Sequence, residues 1–329
     1  MPDLPRVTVV TPSYNQAAFL EQTMLSVLGQ DYPNLEYMVV DGASTDGSPE
    51  IIRKYADRLA WWVSEKDHGQ GEAINKGFGR ATGEIVAWLN SDDVYQPWAI
   101  AAAVEAFREQ PELGLVFSDV LAIDGENNVL NLMRCGDWGL DELMTFHILN
   151  QPGVFMRRAV LEQGGYLDPN YHYMLDTHLW LRLAQFAPMR YLPRILAAGR
   201  FHAQAKNLAA APRFGEESLR LVAWMQTQPG LAERFRRLKR RIWAGAYRMN
   251  GRYYLDGGKP WQALKFYFKS LANYPPTALS EWHRMVYAAL CLVGLERLKP
   301  VYYRLRRGVR VRSLPKLESF HNSENRPEK

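Results

Sequence analysis

The sequence feature that most constrains this chain is a short apolar run that ends in two adjacent carboxylates. Residues 85–89 are Ile, Val, Ala, Trp and Leu, and Asn90, Ser91, Asp92 and Asp93 follow directly. An apolar run of this length, bounded by turn residues, is typical of a strand buried on both faces of a parallel sheet. Ligands of open α/β sheets bind at the carboxyl ends of the strands, which makes the two acids candidate site residues. An isolated S-D-D is more often a turn that caps the next helix.

Strand patterns alternate with helix patterns along the first 120 residues. Strands are predicted over residues 6–11, 36–40, 59–63, 85–89 and 113–120, and helices over residues 73–81 and 98–108. This alternation predicts an α/β fold with a doubly wound, mostly parallel sheet. The polar strand tips Thr11–Tyr14, Asp41 and Asp92–Asp93 would then lie on the same edge, so we expect them to form one cleft.

The adjacent acids favour phosphate chemistry with a metal ion. Two neighbouring carboxylates repel each other unless a cation or a hydrogen-bond network compensates their charge. No G-x-G-x-x-G follows the first predicted strand and the chain has no G-x-x-x-x-G-K-[ST], which disfavours a dinucleotide oxidoreductase and a P-loop NTPase. A phosphate site without a glycine cradle needs another source of positive charge, and a divalent ion on Asp93 would provide it.

The composition predicts a cytoplasmic protein. Cys135 and Cys291 lie far apart and outside any metal-ligand spacing, which disfavours a disulfide scaffold and a zinc site and is typical of a reducing compartment. No apolar run approaches the roughly 20 residues needed to cross a bilayer. Because the chain opens directly into a strand, we expect no signal peptide.

Three motifs together resemble a known family. They are V-V-T-P-S-Y-N at residues 9–15, V-V-D-G-A-S-T-D-G at residues 39–47 and W-L-N-S-D-D at residues 88–93. In combination they resemble the nucleotide-sugar domain of the family-2 inverting glycosyltransferases, which have the GT-A fold, over about residues 5–205. The segment Ser64–Phe78 is similar to one found in a subgroup associated with bacterial cell-surface polysaccharide synthesis.

The resemblance implies a donor-binding role for the first two strand tips. Thr11, Pro12 and Tyr14 match the first loop, which wraps the base and ribose of the nucleotide. Asp41 matches the acid that hydrogen-bonds the base. Asp67 and Lys76 match the segment expected near the nucleotide or the donor sugar.

The resemblance also gives the two adjacent acids different roles. Asp92 would approach the ribose or the sugar, and Asp93 would bind Mg²⁺ or Mn²⁺ that bridges the diphosphate. His202, in R-F-H at residues 200–202, resembles a late histidine that completes the metal site or contacts the diphosphate. A structural role for this histidine is an equal alternative.

The second half of the domain supplies a candidate base. Asp176 begins a predicted helix and matches the catalytic aspartate of the family's Glu-Asp pair, which reads Leu175-Asp176 here. Asp168 stays open as an alternative base. Compensation of the helix dipole is a structural alternative for Asp176. Trp180 is a candidate either for stacking on an acceptor sugar or for core packing.

The implied function is a metal-dependent inverting transfer of a sugar from a nucleoside-diphosphate sugar to a hydroxyl of a glycan or lipid-linked acceptor. A nucleotidyltransferase and a non-catalytic nucleotide-sugar-binding protein are the alternatives. The first loop lacks the Gly- and Arg/Lys-rich pattern of a nucleotidyltransferase, and both Asp93 and Asp176 are present. The implied organisation is a GT-A domain over residues 1–210, a helical extension over residues 211–318 and a disordered tail over residues 319–329.

The last third of the chain is strongly basic. Residues 231–329 carry 22 basic and 7 acidic residues, against a formal net charge of +5 for the whole chain. Residues 240–275 resemble a single tetratricopeptide-like helix pair, and a predicted apolar helix at 280–298 precedes the polybasic run 304–312. This pattern is typical of peripheral contact with the anionic inner face of a membrane, and equally of a helical cap with a solvated basic edge. No recognised nucleic-acid module accompanies it, so no nucleic-acid partner is expected.

Overall fold

The computed structural model describes residues 4–202 and 211–295. The polybasic run at residues 304–312 and the tail from residue 319 lie outside these ranges, as does the predicted domain boundary at residue 210. Within them the chain forms one nine-stranded sheet with helices on both faces, followed by a set of helices that packs on one of those faces. No helix in the described ranges is long and apolar enough to cross a membrane.

The elements follow the predicted alternation up to the middle of the chain and become mostly helical after it. The strands are β1 Val7–Ser13, β2 Leu35–Asp41, β3 Trp61–Ser64, β4 Ile85–Trp88, β5 Val94–Tyr95, β6 Leu115–Ile123, β7 Val129–Met133, β8 Val154–Arg157 and β9 Met189–Arg200. The helices are α1 Ala17–Leu28, α2 Ser48–Lys54, α3 Gln70–Phe78, α4 Ala99–Glu109, α5 Leu140–Met144, α6 Arg158–Gly164, α7 Leu175–Leu183, α8 Ala211–Thr227, α9 Ala232–Asp256, α10 Pro260–Asn273, α11 Pro275–Leu279 and α12 Trp282–Leu292.

The sheet is mixed, with the order β3-β2-β1-β4-β8-β6-β9-β5 and with β7 paired to β6. The four strands from β3 to β4 are parallel, as predicted, and β9 is parallel to β6. Strand β8 is antiparallel to both β4 and β6. Between β6 and β8 the chain forms the hairpin strand β7 and the short helix α5 instead of a crossover helix, and a parallel return requires such a crossover. The predicted α/β fold is therefore confirmed, and its parallel part is concentrated in the first half.

The strand β1 explains why the sheet is covered on both faces. All of its residues are buried, and successive side chains point to opposite faces. Val9 packs in the cluster that includes the apolar faces of α1 and α4. Its neighbour Val10 packs in the cluster that includes α3 and α7. Trp180 of α7 stacks on Trp88 of β4 at 5.1 Å within this second cluster, so Trp180 is a core residue.

The helices that follow residue 211 belong to the same core as the first domain. Leu221 of α8 and Ile242 of α9 lie in the cluster that also holds Trp88. Helix α9 approaches the loop after α5 so closely that a Cβ on Gly245 would lie 2.3 Å from the carbonyl oxygen of Thr145. Only glycine permits this approach. This close packing places one face of α9 opposite the carboxyl edge of the sheet.

Candidate active site

The register of the sheet brings the predicted strand tips together. Ser13 at the end of β1 pairs with Asp41 at the end of β2, and Asp41 pairs with Ser64 at the end of β3. On the other side of β1, Val10 pairs with Trp88, the last residue of β4. A single cleft of about 2370 Å³ lies over this edge and extends to the helices after residue 211. The predicted site residues that line the cleft are Pro12, Tyr14, Asp67, Asp92, Asp93 and Asp176.

Two of the predicted donor-binding residues lie beneath the cleft surface. Thr11 and Asp41 have no exposed surface. The Thr11 hydroxyl accepts a hydrogen bond from the hydroxyl of Tyr37, at 2.9 Å. The Asp41 carboxylate accepts hydrogen bonds from the backbone N–H and the hydroxyl of Ser44, at 2.9 and 2.5 Å, and from the hydroxyl of Ser64, at 2.6 Å. Asp41 therefore fixes the turn whose Gly42 and Ala43 line the cleft.

Asp67 is among the residues that line the cleft, and Lys76 is not. The Asp67 carboxylate lies against Gly42, where a Cβ would come within 2.9 Å of its Oδ2. Its Oδ1 accepts the backbone N–H of Gly69 at 2.8 Å. The ammonium group of Lys76 pairs instead with Glu65 and Glu72, at 3.0 and 3.2 Å.

The two adjacent acids occupy different environments. Asp93 is 6% exposed. Its Oδ1 accepts the backbone N–H of Arg200 at 2.9 Å, and its Oδ2 accepts the side-chain amide of Asn90 at 3.2 Å. Burial, and then the charge of Asp92, raise the pKa of Asp93 above its usual range. The Asp92 carboxylate lies instead beside the His202 ring, with Oδ2 3.0 Å from Nε2. The resemblance assigns the metal to Asp93, whereas this geometry places Asp92 next to the predicted histidine ligand.

A chain of amide side chains holds the end of β4 in place. The Gln70 amide donates to Oδ1 of Asn90 at 2.6 Å, and the Asn90 amide donates to Oε1 of Gln151 at 3.0 Å. The Gln151 amide in turn donates to the carbonyl oxygen of Trp88, at 2.8 Å. All three amide residues line the cleft. The sequence analysis missed this network, although its signal was available in the amide residues at a strand tip, a helix start and the turn before β8.

Asp176 lies in the first turn of α7, partly buried at the cleft wall. Its Oδ1 accepts hydrogen bonds from the backbone N–H and the hydroxyl of Thr177, at 2.6 and 3.2 Å. Burial raises the pKa of Asp176 from 3.8 to about 6, against the opposing effect of these bonds. The alternative acid, Asp168, accepts the backbone N–H of Asn170 at 2.9 Å and so closes its own turn.

The opposite wall is made by residues that the sequence analysis did not assign to the site. Arg241, Arg248, Arg252 and Tyr253 of α9 line the cleft, together with Arg284 of α12. The three α9 arginines are spaced by seven and four residues, which places them on one helix face. That spacing was the available signal, but it does not tell whether the face meets solvent or a site. Burial raises the pKa of Tyr253 to about 12, and the charge of Asp176 adds to this effect, so the two side chains are within electrostatic reach of each other.

Residues 8–160 match the family model described as Glycosyl transferase family 2. An uncharacterized glycosyltransferase of Nostoc sp. is 28% identical over 234 residues, which cover 67% of this chain and 72% of that protein. An O-antigen biosynthesis protein of Myxococcus xanthus is 30% identical over 186 residues, which cover 55% of this chain and 14% of that protein. The chain thus spans only a small part of the second relative.

Two solved structures share the architecture. Residues 1–349 of TarS from S. aureus, in complex with UDP-GlcNAc, match with a TM-score of 0.57 and 17% identity, over 84% of this chain and 91% of that one. The mannosyltransferase PcManGT from Pyrobaculum calidifontis, in complex with GDP-Man and Mn²⁺, matches with a TM-score of 0.59 and 24% identity, over 93% and 84% of the two chains. At these identities the likeness shows a common fold.

The raised pKa of Asp176 predicts a change of stability that needs no substrate to measure. Between its ordinary pKa of 3.8 and its folded pKa of about 6, the folded state binds more protons than the unfolded state, so the free energy of unfolding falls as the pH rises through about 6. Asp176→Asn retains the acceptor for Thr177 and carries no charge. We expect a higher melting temperature than that of the wild type at about pH 7.5, and a difference that vanishes near about pH 4. Thermal unfolding followed across this pH range checks the expectation, and an Asn variant that is less stable at the higher pH contradicts it.

Proposed function

We propose that this chain transfers a sugar from a nucleoside-diphosphate sugar to a hydroxyl of a glycan or lipid-linked acceptor. Residues 8–160 match the family-2 glycosyltransferases, and a glycosyltransferase of Nostoc sp. is 28% identical. We further propose that the transfer inverts the anomeric carbon and contributes to the synthesis of a cell-surface polysaccharide. The observation that carries the proposal is that Asp176 and the acidic pair line one cleft at the carboxyl edge of the sheet.

The donor end of the cleft is proposed to be the edge formed by β1, β2 and β4. Pro12 and Tyr14 line it, and Tyr14 is 63% exposed, so its ring is available to a nucleoside. Asp67 and the turn at Gly42 lie on the same side. The buried Thr11 and Asp41 support this surface from below. Two solved structures of the same fold are complexes with UDP-GlcNAc and with GDP-Man.

The residues present fit a divalent cation held jointly with the donor. In the described ranges, no group of three or more His, Cys, Asp or Glu side chains could hold a metal ion by itself. Mg²⁺ in phosphate-transfer sites is usually bound through one or two carboxylates together with substrate phosphates, so a smaller protein contribution suffices. We propose that Asp92 and His202 supply it, with the buried Asp93 behind them. This moves to Asp92 the metal role that the sequence resemblance gives to Asp93. The cation, when bound, would stabilise negative charge on the departing diphosphate.

Asp176 is proposed to remove the proton from the acceptor hydroxyl as that hydroxyl attacks the anomeric carbon. A general base works best when its pKa lies near the operating pH, because it is then ionised and still basic. The pKa of about 6 places Asp176 in that range. The bonds from Thr177 occupy Oδ1 and hold the carboxylate in a fixed orientation. A single displacement of this kind exchanges the sugar–phosphate bond for a sugar–acceptor bond and inverts the configuration.

The base assignment predicts that Asp176→Asn abolishes transfer but leaves donor binding near the wild-type level. Loss of a general base costs typically 10²–10⁴-fold in rate, whereas the substitution removes no contact at the donor end. The measurement combines a transfer and donor-hydrolysis assay, over a panel of UDP-, dTDP- and GDP-sugars, with calorimetric titration of the matching nucleotide. Asp168→Asn is the matched control, since that acid closes its own turn.

Three results would count against the base assignment or against the proposed function. Equal loss of nucleotide affinity in the Asp176 variant would show that the side chain binds the donor and is not the base. Formation of a nucleoside triphosphate and a sugar 1-phosphate from the nucleotide sugar and added pyrophosphate, in place of sugar transfer, would favour the alternative, a nucleotidyltransferase. Nucleotide-sugar binding without any turnover across the panel would favour the non-catalytic alternative.

A comparison of three variants tests which residues bind the metal ion. We expect Mn²⁺ to strengthen UDP or GDP binding to the wild type, and Asp92→Asn and His202→Ala each to remove most of that enhancement. Asp93→Asn should retain more of the enhancement, because the Asp93 carboxylate is already engaged by Arg200 and Asn90. Nucleotide titrations with and without Mn²⁺ measure this enhancement for each variant. If only the Asp93 variant loses the Mn²⁺ dependence, the assignment from the sequence resemblance is the right one.

We propose that the last helices contact an anionic membrane surface, as a lipid-linked acceptor would require. Of the ten large apolar side chains that are exposed in the described ranges, eight lie between residues 261 and 295. They include Trp261, which is 55% exposed and has the Lys265 ammonium 5.2 Å from its ring centroid, and Trp282, which is 61% exposed. Aromatic rings beside basic groups are typical of interfacial surfaces. The polybasic run predicted to take part lies outside the described residues.

This membrane contact predicts that the chain sediments with vesicles that contain phosphatidylglycerol and stays in solution with pure phosphatidylcholine. The double variant Trp261→Ser, Trp282→Ser should bind the anionic vesicles more weakly. Phe186→Ser is the control, because Phe186 is also exposed, at 48%, but belongs to the first domain. Equal sedimentation of the wild type and the double variant would contradict the proposed surface.

A further inference from the structure

The wall of the cleft opposite the sheet is lined by four arginines, which we call the arginine wall. Arg241, Arg248 and Arg252 come from α9, and Arg284 comes from α12. Neither the donor end nor the base uses these residues. Their number and their partners therefore indicate what else the cleft binds.

The arginine wall is only partly neutralised by its own carboxylates. Glu281 pairs with Arg248 at 2.8 Å and with Arg252 at 2.6 Å, and lies 3.8 Å from Arg284. Burial alone would raise the pKa of Glu281, but the adjacent guanidinium groups outweigh burial and lower it to about 2. Asp256 pairs with Arg284 at 2.8 Å. Two charged carboxylates thus face four guanidinium groups, and the wall keeps an excess of positive charge.

Several donors of the arginine wall have no acceptor within the described protein. The Nε atom of Arg252 is buried without a hydrogen-bond partner. The Nε atom of Arg284 is also buried, and its ion-pair partner, Oε2 of Glu281, lies 3.8 Å away, beyond hydrogen-bond distance. In the described ranges, Arg241 has no carboxylate within ion-pair distance, and its guanidinium lies 5.7 Å from the ring centroid of Tyr274. An unsatisfied buried donor costs about 1–3 kcal/mol, more when charged. A purely structural role, in which ion pairs hold α9 against α12, explains the two carboxylates. It does not explain Arg241 or the donors without a hydrogen bond.

The position of the arginine wall is the one an acceptor needs. Tyr253 follows Arg252 on α9, lines the cleft and is within electrostatic reach of Asp176. The strand tips, Asp176 and Arg284 all line the same cleft. A molecule whose hydroxyl reaches Asp176 therefore shares this cleft with the arginine wall.

We propose that the arginine wall binds an anionic acceptor, a glycan that carries phosphate or carboxylate groups near the hydroxyl that receives the sugar. The proposal rests on the transferase function proposed above and specifies its acceptor class. The planar guanidinium fork matches both phosphate and carboxylate groups in bidentate geometry, which a lysine ammonium does not. Arg248, Arg252 and Arg284 hold the wall together through Glu281 and Asp256, and Arg241 is available entirely to the ligand.

The test is a binding titration with three oligomers of matched length, a glycerol-phosphate oligomer, an oligogalacturonate and a neutral malto-oligosaccharide. We expect the wild type to bind at least one anionic oligomer more tightly than the neutral one, with an affinity that falls as salt is added. Arg241→Gln should weaken anionic binding on the order of tenfold, the value of one charge-assisted hydrogen-bonded contact, and leave UDP or GDP affinity unchanged. The tighter of the two anionic oligomers identifies the recognised group.

Arg240→Gln is the matched control. Arg240 is the neighbour of Arg241 on α9, but it is exposed and donates to the carbonyl oxygen of Asn273 at 2.9 Å. Equal effects of the two substitutions, or equal wild-type binding of neutral and anionic oligomers at low salt, would overturn the proposal. If Arg241→Gln folds poorly, Arg241→Lys replaces it: it keeps the charge, loses the planar fork and should also weaken anionic binding. Donor hydrolysis is assayed in parallel, so an inactive enzyme that still prefers anionic oligomers contradicts the transferase function and not the binding site.

Discussion

The structure depends most on the register of three parallel strands. Because β2, β1 and β4 end side by side, the turn held by Asp41, the first loop at Pro12 and Tyr14, and the acidic pair after β4 meet at one edge. Each strand is buried on both faces, so a shift by one residue would turn apolar side chains out of one core cluster and into the other. The hydrophobic pattern of the strands therefore also fixes the polar site at their tips.

The second constraint is the close docking of α9. Gly245 lets this helix reach the backbone at Thr145, and Arg248 donates to the carbonyl oxygen of Phe146 at 2.9 Å. These contacts turn an open sheet edge into a cleft with two walls of different chemistry. The sheet side carries the acids suited to a cation and a diphosphate, and the helix side carries the guanidinium groups. Asp176 lines the same cleft, and burial raises the pKa of its carboxyl group.

The sequence was sufficient to predict the α/β fold, the shared edge of the strand tips and the position of Asp176 in the first turn of a helix, because each follows from a local pattern. It was not sufficient to distinguish the environments of Asp92 and Asp93. The partners that distinguish the two acids, Arg200 and His202, come from more than a hundred positions further along the chain. The antiparallel strand β8 was missed for a related reason, since a short apolar stretch such as Val154–Arg157 carries no information on its direction. The arginine wall likewise reads as a solvated helix face until the docking of α9 is known.

The central claim is that one cleft holds the donor at the strand tips, with Asp176 facing the sugar and the arginine wall beyond it. A crystal structure of the Asp176→Asn variant, soaked with Mn²⁺ and with the nucleotide sugar that the donor panel identifies, tests it most directly. The account predicts the nucleoside against Pro12 and Tyr14, the diphosphate and cation beside Asp92 and His202, and the anomeric carbon turned toward residue 176. A nucleotide seated on the arginine wall, or a sugar turned away from residue 176, would contradict it.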